Sequence, residues 1–352
     1  SGNRDGATEL QMGNPLVSWE KAGKQNYGLD FSILDEHLSG SFDYFIEKRH
    51  DILTTRNTAP NFIAITMPVV NIGKVDNKGF ELVLKWNHSI GDFKYWINGN
   101  LSYAKNKIVY KDEIPHKYPW LYETGQSVGQ PFGFIFDGFV TEADLESGKL
   151  PDHKLDLKPG DAKYKDLNGD GKITDEDQTF LGYPNQPEIT YGFGFSAGYK
   201  GFDLSMFFQG NARVSFFIDP RNTSPFVNYD AGDRIGVQQC LDVIANDHWS
   251  ENNRDIYAFW PRLSPTLVDN NMVTSTWWMH DGSFLRLKTV ELGYTFSQKA
   301  LKKIGVQSLR LYLTGSNLLT FSKFKLWDAE MGNNGLGYPI QRVYNLGINI
   351  NF

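Results

Sequence analysis

The sequence predicts an all-β protein of the transmembrane antiparallel β-barrel class. Three observations predict it. Nine segments alternate apolar with small or polar residues, short and long connections take turns between them, and the composition is rich in aromatic residues (14%) and Gly (34 of 352 residues). Mean hydropathy is −0.42, and no run of 18 apolar residues occurs. Neither fact opposes a barrel, because lipid-facing and lumen-facing residues alternate and each strand averages to a mixed hydropathy.

Taken in order, residues 25–34 set Tyr27, Leu29, Phe31 and Ile33 against Asn26, Gly28, Asp30 and Ser32. Residues 38–48 set Leu38, Phe42, Tyr44 and Ile46 against Ser39, Ser41, Asp43 and Glu47, with Phe45 as an exception. Residues 79–88 carry Phe80, Leu82, Leu84 and Trp86, and residues 93–104 oppose Phe93, Tyr95, Ile97, Leu101 and Tyr103 to Lys94, Asn98, Asn100 and Ser102. The pattern recurs at 188–200, 202–209, 284–296 and 308–318. It closes in the last eleven residues, where Tyr344, Leu346, Ile348, Ile350 and Phe352 alternate with Asn345, Gly347, Asn349 and Asn351. Each segment has about the length of a tilted spanning strand, roughly 9–11 residues. Period-two alternation predicts that Tyr27, Leu29, Phe31, Leu82, Leu84, Ile348 and Ile350 face lipid, and that Asn26, Asp30, Asn98, Asn100 and Asn349 face inward.

The connections separate a membrane barrel from a soluble sandwich. Short ones at 35–37, 89–92, 200–201 and 298–305 alternate with long ones at about 49–78, 105–187, 210–283 and 319–341. Short periplasmic turns and long extracellular loops are the outer-membrane pattern, which soluble sandwiches seldom keep over nine strands. Nine is odd, whereas bacterial single-chain barrels close with an even number, so further strands are expected upstream. The opening Ser1-Gly2-Asn3-Arg4 is not a signal peptide; either one was removed or the natural N-terminus lies elsewhere.

Composition also excludes functions. A formal charge of −6 without clustered Lys and Arg gives nucleic acid no basic face. The single cysteine, Cys240, rules out an internal disulfide framework and a cysteine-based zinc site. The histidines at 37, 50, 88, 116, 153, 248 and 280 never stand at metal-ligand spacing. Gly194-Phe195-Ser196-Ala197-Gly198 matches the G-x-S-x-G of hydrolases, but it lies inside an alternating strand rather than at a strand-to-helix elbow. No catalytic constellation emerges, and no enzyme is expected.

One local motif carries chemistry. Residues 166–177 match a calcium-binding EF-hand loop, with Asp166, Asn168 and Asp170 at positions 1, 3 and 5, Gly171 at the sharp turn, the Lys172 carbonyl at 7 and Asp177 at 12. Asp177 replaces the usual Glu, whose longer arm chelates with both oxygens, so a weak calcium site and a magnesium site both stay open. The alternative is an acidic solvated loop. The expected role of a metal is structural: only short apolar stretches such as residues 132–140 are available to order a loop of some 80 residues. The tryptophans at 120, 249, 260, 277, 278 and 327 allow two readings, platforms for sugar rings or peptide side chains and plain packing of loop on loop.

Read together, the segments resemble the C-terminal third of a SusC-like TonB-dependent transporter (SusC/RagA family) of the Bacteroidetes outer membrane. The likeness is carried by NPLVSWEKAGKQNYGLDFSI (14–33), LSGSFDYF (38–45), NIGKVDNKGFEL (71–82), GQPFGF (129–134), DLNGDGKITDEDQTFLGYPNQPEITYGF (166–193), FLRLKTVELGYTF (284–296), LRLYLTGSNLLTFSKF (309–324) and the segment YPIQRVYNLGINI through Phe352. It implies that residues 1–352 are about nine strands of a 22-stranded barrel with long extracellular loops. Such a barrel holds an N-terminal plug, is capped by a SusD-like surface lipoprotein, and is driven by the TonB complex to import oligosaccharides or peptides. Plug, TonB-contact segment and roughly thirteen strands are not found in the chain. Two alternatives of other classes are a barrel that anchors surface loops for adhesion or assembly, and a soluble β-rich carbohydrate-binding module.

Overall fold

The computed structural model describes residues 13–58, 67–226, 228–230, 235–301, 305–333 and 335–352. All nine predicted segments are strands: Lys21–Ile33, Leu38–Thr54, Val70–Ile90, Phe93–Tyr110, Ile189–Tyr199, Phe202–Ala212, Phe284–Thr295, Ser308–Ser322 and Val343–Asn351. They lie in chain order in one sheet. The second, third and fourth run for 17, 21 and 18 residues, longer than their apolar stretches predict. Pairing there continues into polar sequence such as Lys48 opposite Asp76 and Glu47 opposite Asn77, where backbone bonds alone keep the ladder going. Among the described residues no helix is long and apolar enough to cross a membrane, which says nothing of strands.

Backbone proximity divides the chain into two compact units, residues 1–87 with 98–128, and residues 88–97 with 129–352. In the first, antiparallel register puts Tyr27 opposite Tyr44, Leu29 opposite Phe42 and Phe31 opposite Gly40. It then puts Tyr44 opposite Phe80, Phe42 opposite Leu82 and Gly40 opposite Leu84. Cross-strand partners share a face, so Tyr27, Leu29, Phe31, Leu82 and Leu84 lie on one continuous surface, with Asp30, Ser41 and Val83 behind it. The first short turn keeps Leu34, Asp35 and Glu36 at φ of 56°, 53° and 66°. In the loop above the fourth strand, Asp112 accepts from the Asn57 and Thr58 amides at 2.8 and 3.1 Å.

The second unit repeats the logic over five strands. Ala197, Leu204, Leu292, Leu313 and Leu346 stand in one cross-strand row, and Phe195, Met206, Val290, Gly315 and Tyr344 in the next. On the opposite face the rows are Asp203, Gly293, Tyr312 and Gly347, then Ser205, Glu291, Thr314 and Asn345. The Lys200-Gly201 turn has φ of 47° and 90°, the left-handed pair that a two-residue hairpin needs.

The long loops of this unit fold on themselves around two aromatic cores. Phe139, Ala162, Tyr164, Ile173, Trp249 and Ala258 form one; Phe216, Ile218, Ile244, Trp260, Trp278 and Phe324 form the other. This corrects the expectation that only short apolar stretches can order the loops. Each loop supplies isolated aromatics, and they meet only in three dimensions.

Candidate functional site

Two regions of the second unit concentrate polar chemistry: the small-and-polar face of the strands and the folded loops. On the strand face, Arg310 donates from Nη2 to Asp203 Oδ2 at 2.5 Å and to Glu291 Oε1 at 2.6 Å. The three come from three strands, and two glycines keep the surface open around them. A Cβ on Gly293 would meet the Asp203 carboxylate at 2.6 Å, and one on Gly347 would meet the Tyr312 ring at 2.3 Å. Further toward the long loops, fully buried Arg286 bonds Asp328 and reaches Glu330 with Nη1 at 2.6 Å. Asp328 also caps the helical turn Ala329–Met331, accepting from the Glu330 amide at 3.0 Å, so the arginine fastens the last long loop to the polar face.

The loops are joined by a buried polar network around Asp161. Its Oδ1 accepts from Arg262 Nε at 2.7 Å and Asn271 Nδ2 at 3.0 Å, and its Oδ2 accepts from the Lys158 amide at 2.8 Å. Asn271 accepts in turn from the Ala162 amide at 2.8 Å, Tyr164 donates its hydroxyl to the Asn270 carbonyl at 2.6 Å, and Trp278 Nε1 donates to the Asn271 carbonyl at 2.9 Å. Burial pushes the Tyr164 hydroxyl pKa far up, so it stays a donor. His153 accepts from the Tyr164 amide at Nε2 (3.3 Å) and bonds the Pro151 carbonyl through Nδ1 (2.7 Å), which fixes the neutral tautomer with the proton on Nδ1. Burial lowers its pKa against the opposing pull of the Pro151 bond and of Asp152.

The 166–177 loop is held by its own amides. Asp166 accepts from Gly169 and Gly171, each at 2.7 Å; Asn168 accepts from Asp170, and Asp170 from Lys172, each at 2.9 Å. Asp177, fully buried, accepts from Leu167 at 2.9 Å and from Thr174 at 2.8 Å. Burial would raise the Asp166 carboxyl, but the amide bonds outweigh it and hold the group below the usual carboxylate range. Ile173, the aliphatic eighth residue, packs into the first loop core. Among the described residues no three His, Cys, Asp or Glu side chains gather as a metal would require. The structure places Asp166, Asn168, Asp170 and Asp177 on one loop as acceptors of backbone amides, with the Lys172 amide donating to Asp170.

The tryptophans divide. Trp249, Trp260 and Trp278 are 6%, 2% and 2% exposed and are packing residues. Half-buried Trp120 stacks on Tyr118 with ring centroids 4.6 Å apart. Ser196 lies in mid-strand opposite Ser205, without an elbow. Neither the Arg310 cluster nor the Asp161 network has a sequence motif, because the side chains that meet come from distant segments: Arg310 lies 107 residues from Asp203 and Asn271 lies 110 from Asp161.

The sequence matches, over residues 2–350, the family described as TonB dependent receptor-like, β-barrel. The chain belongs to the TonB-dependent receptor β-barrel family. It is similar to TonB-dependent receptors P26 and P3 of Formosa agariphila, at 30% and 28% identity over 99% of the chain, and to the TonB-dependent receptor SusC of Bacteroides thetaiotaomicron, at 25% over 96%. It spans about a third of these relatives, 36%, 36% and 32% of their lengths. In fold it is similar to a chain of the RagAB peptide importer in the open-open state, with a TM-score of 0.73, 23% identity, and coverage of 100% of this chain and 37% of that one. The closed-closed state of the same importer gives 0.69. Membership makes the nine strands a segment of an outer-membrane barrel, in a receptor family rather than an enzyme class, and sets aside the soluble carbohydrate-binding module.

Proposed function

We propose that this segment supplies wall strands and surface loops to a transporter that imports an oligomeric nutrient, an oligosaccharide or a peptide, across the outer membrane. The observation that carries it is the family match over nearly the whole chain, without which the folded loops would suit an adhesin equally well. The plug and the energy from the TonB complex belong to the rest of the protein. A SusD-like lipoprotein lid rests on the loops at 105–187 and 210–283, which are long enough to fold on their own cores. The test is uptake of labelled oligosaccharides and peptides by cells lacking the gene, with a TonB-deficient strain alongside. Loss of uptake in both supports import. Normal uptake with lost surface attachment would establish the adhesion reading instead. Crosslinks from a lipoprotein confined to the short turns would remove the lid.

Calcium at the 166–177 loop is a second proposal, supported by spacing alone. Asp166, Asn168, Asp170, the Lys172 carbonyl and Asp177 would be the ligands, and a bound ion would neutralise the carboxylates in a structural role. Direct titration of the protein with calcium, and with magnesium as competitor, tests it. Asp170→Ala should abolish the binding; no heat of binding in the unmodified protein would leave the loop an acidic turn.

A further inference from the structure

The first unit carries a row of aromatic side chains at one level of its strands. On its apolar face Tyr27, Tyr44 and Phe80 stand side by side in register, and the Phe80 ring lies 5.8 Å from that of Tyr103. This aromatic row crosses four strands on the long-loop side of Leu29, Phe42 and Leu82. Such rows sit at the membrane–water interface, where an apolar ring with a polar edge is best accommodated.

Immediately beyond the row, the same face becomes basic. Side chains two residues apart share a face, so Lys78 follows Phe80, Lys48 follows Tyr44 and Ile46, and Lys105 and Lys107 follow Tyr103. The strands are level here: Ile46 pairs with Lys78, and Gly79 lies against the backbone of Tyr103 and Ala104. All four lysines are exposed. Among the described residues none of them is in an ion pair, whereas Lys24 and Arg49, on the opposite face, both lie within 4 Å of Glu47, at 3.9 and 3.7 Å. Asp76, opposite Lys48, is the carboxylate in the row, leaving four cations against one anion.

We propose that Lys48, Lys78, Lys105 and Lys107 form a lateral belt that binds phosphate-bearing lipid headgroups in the leaflet on the long-loop side. The proposal rests on the reading of this face as lipid-facing. The lysine stems lie along the aromatic row while the ammonium groups reach the headgroup level, where phosphates are the complementary anions. The belt makes the wall a selector of its own surrounding lipid, a role separate from cargo passage.

The test is lipid retention by the full-length protein, reconstituted in phosphatidylethanolamine vesicles containing phosphorylated lipid A, extracted gently and weighed by native mass spectrometry. The unmodified protein should keep lipid A, and retention should fall as salt is raised. Each Lys→Gln change in the belt should weaken retention roughly fivefold, whereas Lys→Arg at all four positions should preserve it. Lys24→Gln, on the other face, should change nothing. Unaltered retention in the Gln variants, equal loss with Lys24→Gln, or retention indifferent to salt each overturns the belt. A spin label at Leu84 separates the two ideas: lipid-phase quenching without lipid A retention defeats the belt alone, and aqueous quenching there defeats the lipid-facing assignment beneath it.

Discussion

His153 is buried, donates from Nδ1 to Pro151 and accepts at Nε2 from the Tyr164 amide, so a second proton has no place without breaking a backbone bond. Its pKa is lowered by burial, as is that of His280 in the neighbouring loop. The sign follows. A folded pKa below the unfolded value of about 6.5 means that the unfolded chain binds more protons in that window. Loop stability is therefore full above about pH 6.5 and falls as pH drops through the folded pKa values. Melting of the loop layer, followed by tryptophan fluorescence, should shift to lower temperature on acidification from neutral pH, and His153→Gln with His280→Gln should flatten that slope. At Asp161 the expectation is a magnitude. Asp161→Ala leaves Arg262 and Asn271 without their buried acceptor and should cost on the order of 3–5 kcal/mol, whereas Tyr164→Phe, losing one hydroxyl bond, should cost about 1 kcal/mol. Urea unfolding of the two variants gives the comparison. None of these pairs was legible in the sequence, because no local rule connects Asp161 to Asn271.

At the scale of elements the reverse holds. A strand with one apolar face declares itself, since a one-residue slip would turn Leu204, Leu292, Leu313 and Leu346 all to the wrong side. All nine strands and the alternation of short and long connections were readable for that reason. Strand ends were not, because beyond the apolar stretch the second to fourth strands are held by backbone pairing that side-chain pattern does not encode. The loop cores were hidden too: Trp249, Trp260 and Trp278 carry no period, and their partners are far away in sequence. For the 166–177 loop, spacing located the residues but not the amides they serve. The two-residue Lys200-Gly201 turn was named by its sequence, and its geometry sets a prediction. Gly201 has φ of 90°, and a Cβ there would meet the Thr295 carbonyl oxygen at 2.6 Å. Gly201→Val should destabilise the wall by roughly 1–3 kcal/mol, seen as easier unfolding in detergent, whereas Lys200→Asn should be neutral or better, since Asn suits a left-handed turn position.

At the scale of the wall, the strands of each unit have one face that is apolar in cross-strand rows and another that is largely polar, so the two faces should respond oppositely to charge. Leu313 and Thr314 are adjacent in one strand and point to opposite faces. Leu313→Arg should cost roughly 2–4 kcal/mol in a bilayer if the row lies near its midplane, while Thr314→Arg, beside Glu291, should be tolerated. The same asymmetry bears on the two strands at the ends of the sheet, Lys21–Ile33 and Val343–Asn351, each bonded among the described residues to a single neighbouring strand. Half of their amides point away from that neighbour, and in hydrocarbon each unpaired one costs several kcal/mol. A family built on closed barrels meets this cost by pairing, so in the full-length protein the outward amides of both strands should be bonded to further strands. Hydrogen exchange on the protein in lipid vesicles reads this directly. Outward amides such as those in residues 25–31 and 344–350 should exchange as slowly as amides of the Phe202–Ala212 strand, which is paired on both sides. Rapid exchange confined to one half of the amides in either end strand would show that its outer edge is open to water, and the closed-barrel assignment of these nine strands would fall.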